Sequence, residues 1–318
     1  MDESGGTAVH RIEFGMEWAP GHVACYLLEG PEPVLFDAGV PGSDAADHLR
    51  TGVSEAGYAL ADIEHLVVTH PHVDHVGQVP TVVEAANPTV YAPAGVRERF
   101  AGDADALAER VRANARAGGL SGDQLERAVA DAVESLKRDR ELLAPDRVDE
   151  WVEPGPLEVG PTRVEAIHTP GHQADHLAYL LGADGRRLVS GDTLLEPFRA
   201  VMLHDGLDDG HREAFDAFFA GLDRLAAHDP ERVYPGHGPV HERFHDLLER
   251  DRQSLERRLD EVERLVQAGH ETVPAVAAEL AGERPARYML AEAMSALAHL
   301  RETGRIDVTT VEGVCRHR

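Results

Sequence analysis

Leu66-Val67-Val68-Thr69-His70-Pro71-His72-Val73-Asp74-His75-Val76-Gly77 is the stretch that decides the fold. The apolar run Leu66 to Val68 reads as a buried strand. The loop that ends it carries His70, His72, Asp74 and His75. Neutral imidazole and carboxylate suit zinc and similar divalent ions. His70 and His72 alternate with Pro71, so both can face one side of an extended segment. Asp74 and His75 lie further round the turn, within reach of a second ion.

Working outward, the remaining donors lie after later strands or in glycine-containing loops. His172 sits in Thr169-Pro170-Gly171-His172, Asp192 in Ser190-Gly191-Asp192-Thr193 and His237 in Pro235-Gly236-His237-Gly238. Small residues before each let the backbone approach an ion closely. A lone histidine is weak evidence. His70, His72, Asp74, His75, His172, Asp192 and His237 together make a metal centre the expectation. Asp37 follows the strand Val34-Leu35-Phe36, where a carboxylate can support the metal loop by hydrogen bonding.

At 318 residues, 42% of them hydrophobic, the chain can build one large domain and a smaller one. It carries 57 Asp+Glu against 31 Lys+Arg, a formal charge of −26, and Lys137 is its sole lysine. A GC-rich genome would favour Arg over Lys; concentrated salt, which screens such self-repulsion, would account for both that bias and the acid excess, so a halophilic cytoplasm is the expectation against plain codon bias. The balance argues against a broad basic surface for nucleic acid, although net charge discriminates poorly in high salt. Two cysteines, Cys25 and Cys315, make no disulfide framework and suit a reducing compartment. The acidic start has no apolar core, and no run of about 18 apolar residues exists. The expected localisation is cytoplasmic, with no membrane contact.

Strands are expected at residues 9–14, 22–28, 34–36, 66–68 and 89–91, with helices at 44–60 and 79–86. Residues 94–145 are rich in Ala, Arg, Glu and Leu. They predict two or three helices broken at Gly102 and Gly118-Gly119, with a capping box at Ser121 and Gln124. This insert reads as a solvated helical hairpin or as a lid. Strands resume at 157–159, 163–167, 176–181, 187–190 and 232–234, with a helix at 211–227. Two successive strand-and-helix halves predict two sheets with helices outside. Beyond Pro239 the pattern is helical, at about 240–268, 272–280 and 285–303. A small hairpin follows, as in a winged helix.

This set of motifs resembles the metallo-β-lactamase superfamily over residues ~9–240. The resemblance implies an α/β, αββα sandwich with a helical insertion, 1–240, and a small C-terminal winged-helix-like domain, 241–318. It assigns His70, His72 and His172 to one ion, Asp74, His75 and His237 to the other, and Asp192 to a bridge. Two divalent ions are expected, zinc before iron or manganese. The implied activity is hydrolysis by a metal-bridging hydroxide, with Asp74 and Asp192 as catalytic carboxylates. True β-lactamases carry Cys at the Asp192 position, so antibiotic hydrolysis is not expected. Gly21-His22-Val23-Ala24-Cys25-Tyr26-Leu27, the insert and Pro235-Gly-His-Gly-Pro239 are similar to a glyoxalase II-like subgroup. In that picture His22 lies near the metals.

The loop after Asp192 supplies Phe198, Arg199, Met202 and His204 as candidates to line the substrate cleft, Arg199 for an anion; a solvent loop with one buried Met is the equal alternative. His176 and His204 are candidates for a leaving-group acid, although a structural role, for His176 as a strand-start histidine, is the preferred reading of each. The expected substrate is a small ester, thioester or lactone. The alternatives are an RNA phosphodiester and, without catalysis, metal-sensing DNA binding. A homodimer is the other partner weighed for the C-terminal segment.

Overall fold

In the computed structural model, residues 7–318 are described. The acidic start, read above as no leader, lies outside them. β1 (Val9–Gly15) is followed by β2 (His22–Leu28), in which alternate residues face opposite layers. Val23, Cys25 and Leu27 join one apolar cluster, and Ala24, Tyr26 and Leu28 join another. A strand buried on both faces needs a layer on each side.

β1 and β2 continue through β3 (Val34–Phe36), β4 (His65–Val67), β5 (Thr89–Pro93) and β6 (Glu150–Val152) as one six-stranded sheet in that order. Its first two pairings are antiparallel and the rest parallel. The second sheet has five strands: β7 (Gly155–Val159), β8 (Thr162–His168), β9 (Leu177–Leu181), β10 (Arg187–Gly191) and β11 (Arg232–Pro235). The β10–β11 pairing is parallel.

Between the sheets lie Tyr26, Phe36, Tyr91, Tyr179, Val189 and Tyr234. The outer face of the first sheet is covered by α1 (Ser43–Glu55), the single turn α2 (Val73–Val76), α3 (Val79–Ala86) and α4 (Ala94–Ala101). Outside the second sheet a larger apolar cluster joins α5 (Ala104–Ala117), α6 (Gly122–Leu142) and α7 (Ala214–Leu225) to three further helices. These are α8 (Phe244–Gln267), α9 (Val273–Ala281) and α10 (Leu290–Glu302). The chain ends in a hairpin, β12 (Val308–Val311) and β13 (Val314–His317). The αββα sandwich with a helical insertion is thus the observed architecture.

Several local expectations are corrected. The helix expected to reach residue 60 stops at Glu55, because Gly57 takes a positive φ of 89° and a short 3₁₀ turn follows at Leu60–Asp62. The Ser121 side chain makes no capping bond, so the capping box does not form. Strand β6 was not foreseen. It is three residues long and carries no alternating pattern to betray it. The insert is no solvated hairpin: Val111, Ala115, Leu125 and Val129 are buried. Val273 N–H donates to the Gly118 carbonyl at 3.0 Å, which fastens the insert to the C-terminal helices.

One glycine fixes the approach of the metal loop. Gly77 N–H donates to the Gly39 carbonyl at 2.8 Å. A Cβ on Gly77 would overlap the backbone at Val40 and Pro41. Backbone cannot swing aside, so Gly77→Ala is expected to cost at least the ~1–3 kcal/mol typical of overpacking. A thermal melt within 1 °C of wild type, on roughly 2–4 °C per kcal/mol, would contradict this contact.

Candidate metal centre

The donors converge because strand ends converge. β3, β4 and β5 run parallel and β10 and β11 run parallel, so the loops following β3 and β4 emerge on one edge with those following β10 and β11. Bonds between the sheets hold the edge together. Leu177 N–H donates to Thr69 O at 2.9 Å, Tyr179 Oη–H to Val68 O at 2.9 Å, Ala24 N–H to Gly236 O at 2.8 Å, and Tyr26 Oη–H to Pro235 O at 2.7 Å.

Asp37 sits at the centre of this scaffold, 3% exposed. Its carboxylate accepts from Thr69 N–H at 2.8 Å, from Thr69 Oγ1–H at 2.8 Å and from His75 Nδ1–H at 2.8 Å. Having spent its proton on Asp37, the Thr69 hydroxyl accepts from His70 Nδ1–H at 3.0 Å. His172 Nδ1–H donates to the Val201 carbonyl at 2.9 Å, and His237 Nδ1–H to the His22 carbonyl at 2.6 Å. In each of these four histidines Nδ1 carries a proton, so Nε2 is the nitrogen that faces the centre: as a lone pair in His70 and His172, and in His75 and His237 as the atom from which a cation would displace the proton that Asp192 favours.

Those nitrogens meet. His72 Nδ1 lies 3.0 Å from His70 Nε2 and 2.9 Å from His172 Nε2. Asp192 has Oδ1 3.2 Å from His75 Nε2, and Oδ2 3.1 Å from His172 Nε2 and 3.3 Å from His237 Nε2. Asp74 Oδ2 lies 3.6 Å from His237 Nε2. The ligand atoms form three overlapping groups: His70, His72 and His172; His70, His75 and Asp192; Asp74, His75 and His237.

The residues present fit cations. His75 Nε2 and Asp192 Oδ1 are buried without a hydrogen-bond partner, although they face each other. Acceptor atoms crowded in this way are destabilising unless a positive charge lies among them. Burial, then neighbouring imidazoles, holds His70 and His72 well below their ordinary pKa. Burial likewise lowers His172, against the pull of Asp192. These three imidazoles are neutral at pH 7, the form in which a metal is bound. Around His75, burial is outweighed by Asp192 and Asp37, which raise its pKa well above the usual value. Burial of Asp192 is outweighed by His237, His75 and His172, which keep it ionised.

The other candidates fall differently. His22 Nε2 accepts from Gly238 N–H at 2.8 Å while its carbonyl fixes His237, so its polar groups serve the His237 loop. Phe198 is exposed on the loop after Asp192. Met202 is corrected: it is wholly buried in the outer core and lines no cleft. Arg199 is corrected too. Its guanidinium is bound to Glu292 at 2.7 Å and to the Ala200 carbonyl at 2.7 Å, with 6% of the side chain exposed, so it offers nothing to a substrate anion.

Neither proposed acid can donate at neutral pH. His176 Nε2 accepts from Asp192 N–H at 2.9 Å, and burial brings its pKa down to about 3. Burial brings the His204 imidazole down to about 4; it is the backbone N–H of His204 that donates to the His172 carbonyl, at 2.8 Å. Both position the loops that carry ligands.

Thr69 and the Val201 carbonyl were missed by sequence reasoning, whereas Gly236 is the small residue expected before His237. A Cβ on Gly236 would lie 2.6 Å from His75 Cε1 and 2.7 Å from Asp192 Oδ1, so only glycine fits beside the donors. Its place before a candidate ligand was the available signal.

Two sheets carrying seven convergent donors on one edge define a metal-dependent hydrolase. Residues 18–237 match the family model of the metallo-beta-lactamase superfamily, and the chain belongs to that superfamily. The probable metallo-hydrolase YqjP of Bacillus subtilis (strain 168) is 25% identical over 261 residues, 78% of this chain and 77% of that protein. An atrochrysone carboxyl ACP thioesterase of Cryptosporiopsis sp. (strain 8999) is 22% identical over 66% of this chain, which spans 47% of that longer protein. A metallo-beta-lactamase family protein from Thermus thermophilus shares the fold over 97% of both chains, with a TM-score of 0.78 and 24% identity.

Proposed function

We propose that this chain hydrolyses a small ester, thioester or lactone at a centre holding two divalent ions, zinc before iron or manganese. His70, His72 and His172 would hold one ion, Asp74, His75 and His237 the other, with Asp192 between them. The observation that carries this reading is the set of Nε2 atoms aimed inward by Asp37, Thr69, Val201 and His22. When bound, such a pair of ions supplies Lewis acidity and lowers the pKa of water to near 7. The chain's own carboxylates, Asp74 and Asp192, would orient the nucleophile, and neutral His176 keeps Asp192 in place.

A small substrate with a good leaving group is favoured because the described residues close to the donors supply no general acid: His176 and His204 are neutral at pH 7. The thiolate of a thioester or the stabilised oxyanion of an activated ester leaves with little protonation, whereas an unactivated alkoxide, from RNA or from a plain ester or lactone, needs that proton; within the proposed class, thioesters and activated esters are therefore favoured. The thioesterase among the relatives supports the same substrate class.

The C-terminal helices weigh against nucleic acid. Leu290 to Ala298 of α10 are all buried, so that helix cannot enter a groove. Arg305 is bound to Asp260 and Glu263, Arg301 to Glu302, and Arg316 and Arg318 lie within 4.0 and 3.9 Å of Glu271. Paired arginines have little charge left for phosphate. Among the described residues, no helix is long and apolar enough to cross a membrane.

The test is a panel of thioesters, lactones and a labelled RNA, at high and low salt, before and after chelation. Expected is turnover of at least one ester or thioester that chelation removes and zinc restores. RNA cleavage as the sole activity, or turnover indifferent to complete metal removal, would overturn the reading.

A further inference from the structure

α10 carries one anomaly. Its sequence from Leu290 to Ala298 is Leu-Ala-Glu-Ala-Met-Ser-Ala-Leu-Ala, and the one charged residue, Glu292, is 1% exposed. An ionised carboxylate is kept in such surroundings only by dense pairing. Glu292 Oε1 accepts from Arg199 Nη2–H at 2.7 Å and from Arg258 Nε–H on α8 at 2.7 Å. Its Oε2 accepts from the backbone N–H of Met202 at 3.0 Å.

That last bond reaches the metal centre. Met202 follows Val201, whose carbonyl takes the Nδ1 proton of His172. The next two residues close on the same histidine from the other side: Leu203 and His204 N–H both donate to the His172 carbonyl, at 3.2 and 2.8 Å. The segment 199–204 therefore grips His172 front and back. Glu292 holds that segment at Met202 N–H and, through Arg199, three residues earlier. No other side chain among the described residues bonds the backbone of Val201 or Met202.

We propose that Glu292 is a positioning residue for His172, through which the C-terminal helices set one metal ligand. The carboxylate fixes Met202, Met202 fixes the direction of the Val201 carbonyl, and that carbonyl fixes the tautomer and aim of His172. The C-terminal helices thereby complete the centre without touching it. This rests on His172 being a ligand of the first ion, as proposed above. Arg199, expected from the sequence to meet substrate, belongs to the same brace.

The two ligand groups provide an internal control. The brace reaches only the His70, His72 and His172 group. The Asp74, His75 and His237 group is held by Asp37 and His22 instead. Glu292→Gln keeps the volume but removes the charge that holds the two arginines. Glu292→Asp keeps the charge beside them but draws the carboxylate back from Met202 N–H.

The experiment is a stepwise Co²⁺ titration of the full chain, read by ligand-field absorption, with folding followed by circular dichroism. Expected is a 10–100-fold weaker first site in folded E292D, the second site holding its wild-type affinity. E292Q is expected to weaken the same site at least as much. Wild-type affinity at both sites in E292D overturns the proposal, and so does equal weakening of both sites, which is what a merely structural role would give. A wild-type chain that takes up no ion overturns the metal reading and this inference with it. A wild-type chain that binds two ions beside unaltered variants overturns this inference alone.

Discussion

Asp192→Ala is expected to bind at most one divalent ion per chain and to lose roughly 10³-fold or more in kcat/KM. Asp192 is 4% exposed and its oxygens face His75, His172 and His237 at 3.2, 3.1 and 3.3 Å. No other carboxylate among the described residues faces ligands from both proposed ions. Without it, two cations would repel each other across a cavity lined by neutral imidazole on one side. A metal ion's stabilisation of developing charge is worth several kcal/mol, and each ~1.4 kcal/mol is a factor of ten in rate. Loss of one ion alone therefore reaches three decades. The fold should survive, because the backbone of Asp192 keeps its bond to His176 and its side chain makes no bond to the scaffold. Metal content per folded chain and turnover on the responsive ester check both halves. Two ions per chain, or full activity, in folded D192A would refute the bridging role.

The legibility of this protein in its sequence differs between ligands and supports. Ligands lie in short motifs whose residue types already state their chemistry, and all seven proposed from the sequence fall in one cluster. Strands were legible where both faces are buried, as in β2 and β9, since a run of apolar residues bounded by turn signals leaves few other readings. β6 was not, because its pairing with β5 depends on a neighbour 59 residues away, such as Val90 N–H reaching the Asp149 carboxylate. Substrate-lining residues failed for a related reason. Arg199 looks identical in sequence whether it faces solvent, substrate or a carboxylate 93 residues later, and only the packing of α10 decides. The supports of the donors are mostly backbone groups, at Val201 and His22, which no residue type announces.

Asp37 is where a single substitution should disturb both proposed ion sites at once. Asp37→Ala strands three buried donors: Thr69 N–H, Thr69 Oγ1–H and His75 Nδ1–H. Removing one partner of a buried charged network costs about 3–5 kcal/mol. At roughly 2–4 °C per kcal/mol, the melting temperature should fall by about 6 °C or more. Asp37→Asn separates stability from tautomer control. Its amide oxygen can still accept from Thr69 N–H, and its volume is unchanged. Its NH₂, however, faces His75 Nδ1 and Thr69 Oγ1 as a donor. His75 is then driven to accept at Nδ1 and to carry its proton on Nε2, where the cation should sit. Thr69, now accepting from the amide, turns its own proton toward His70 Nδ1, which moves the His70 proton to Nε2 as well. One nitrogen in place of one oxygen thus blocks a lone pair in the group of His70, His72 and His172 and another in the group of Asp74, His75 and His237. Expected for D37N is a melting temperature above that of D37A, with ion affinity down at least 10–100-fold at both sites. Histidine ¹⁵N shifts should report Nε2–H at His70 and His75 in the metal-free variant. Wild-type affinity at both sites, or Nδ1–H retained on both histidines in D37N, would show that the lone pairs are aimed by something other than this carboxylate.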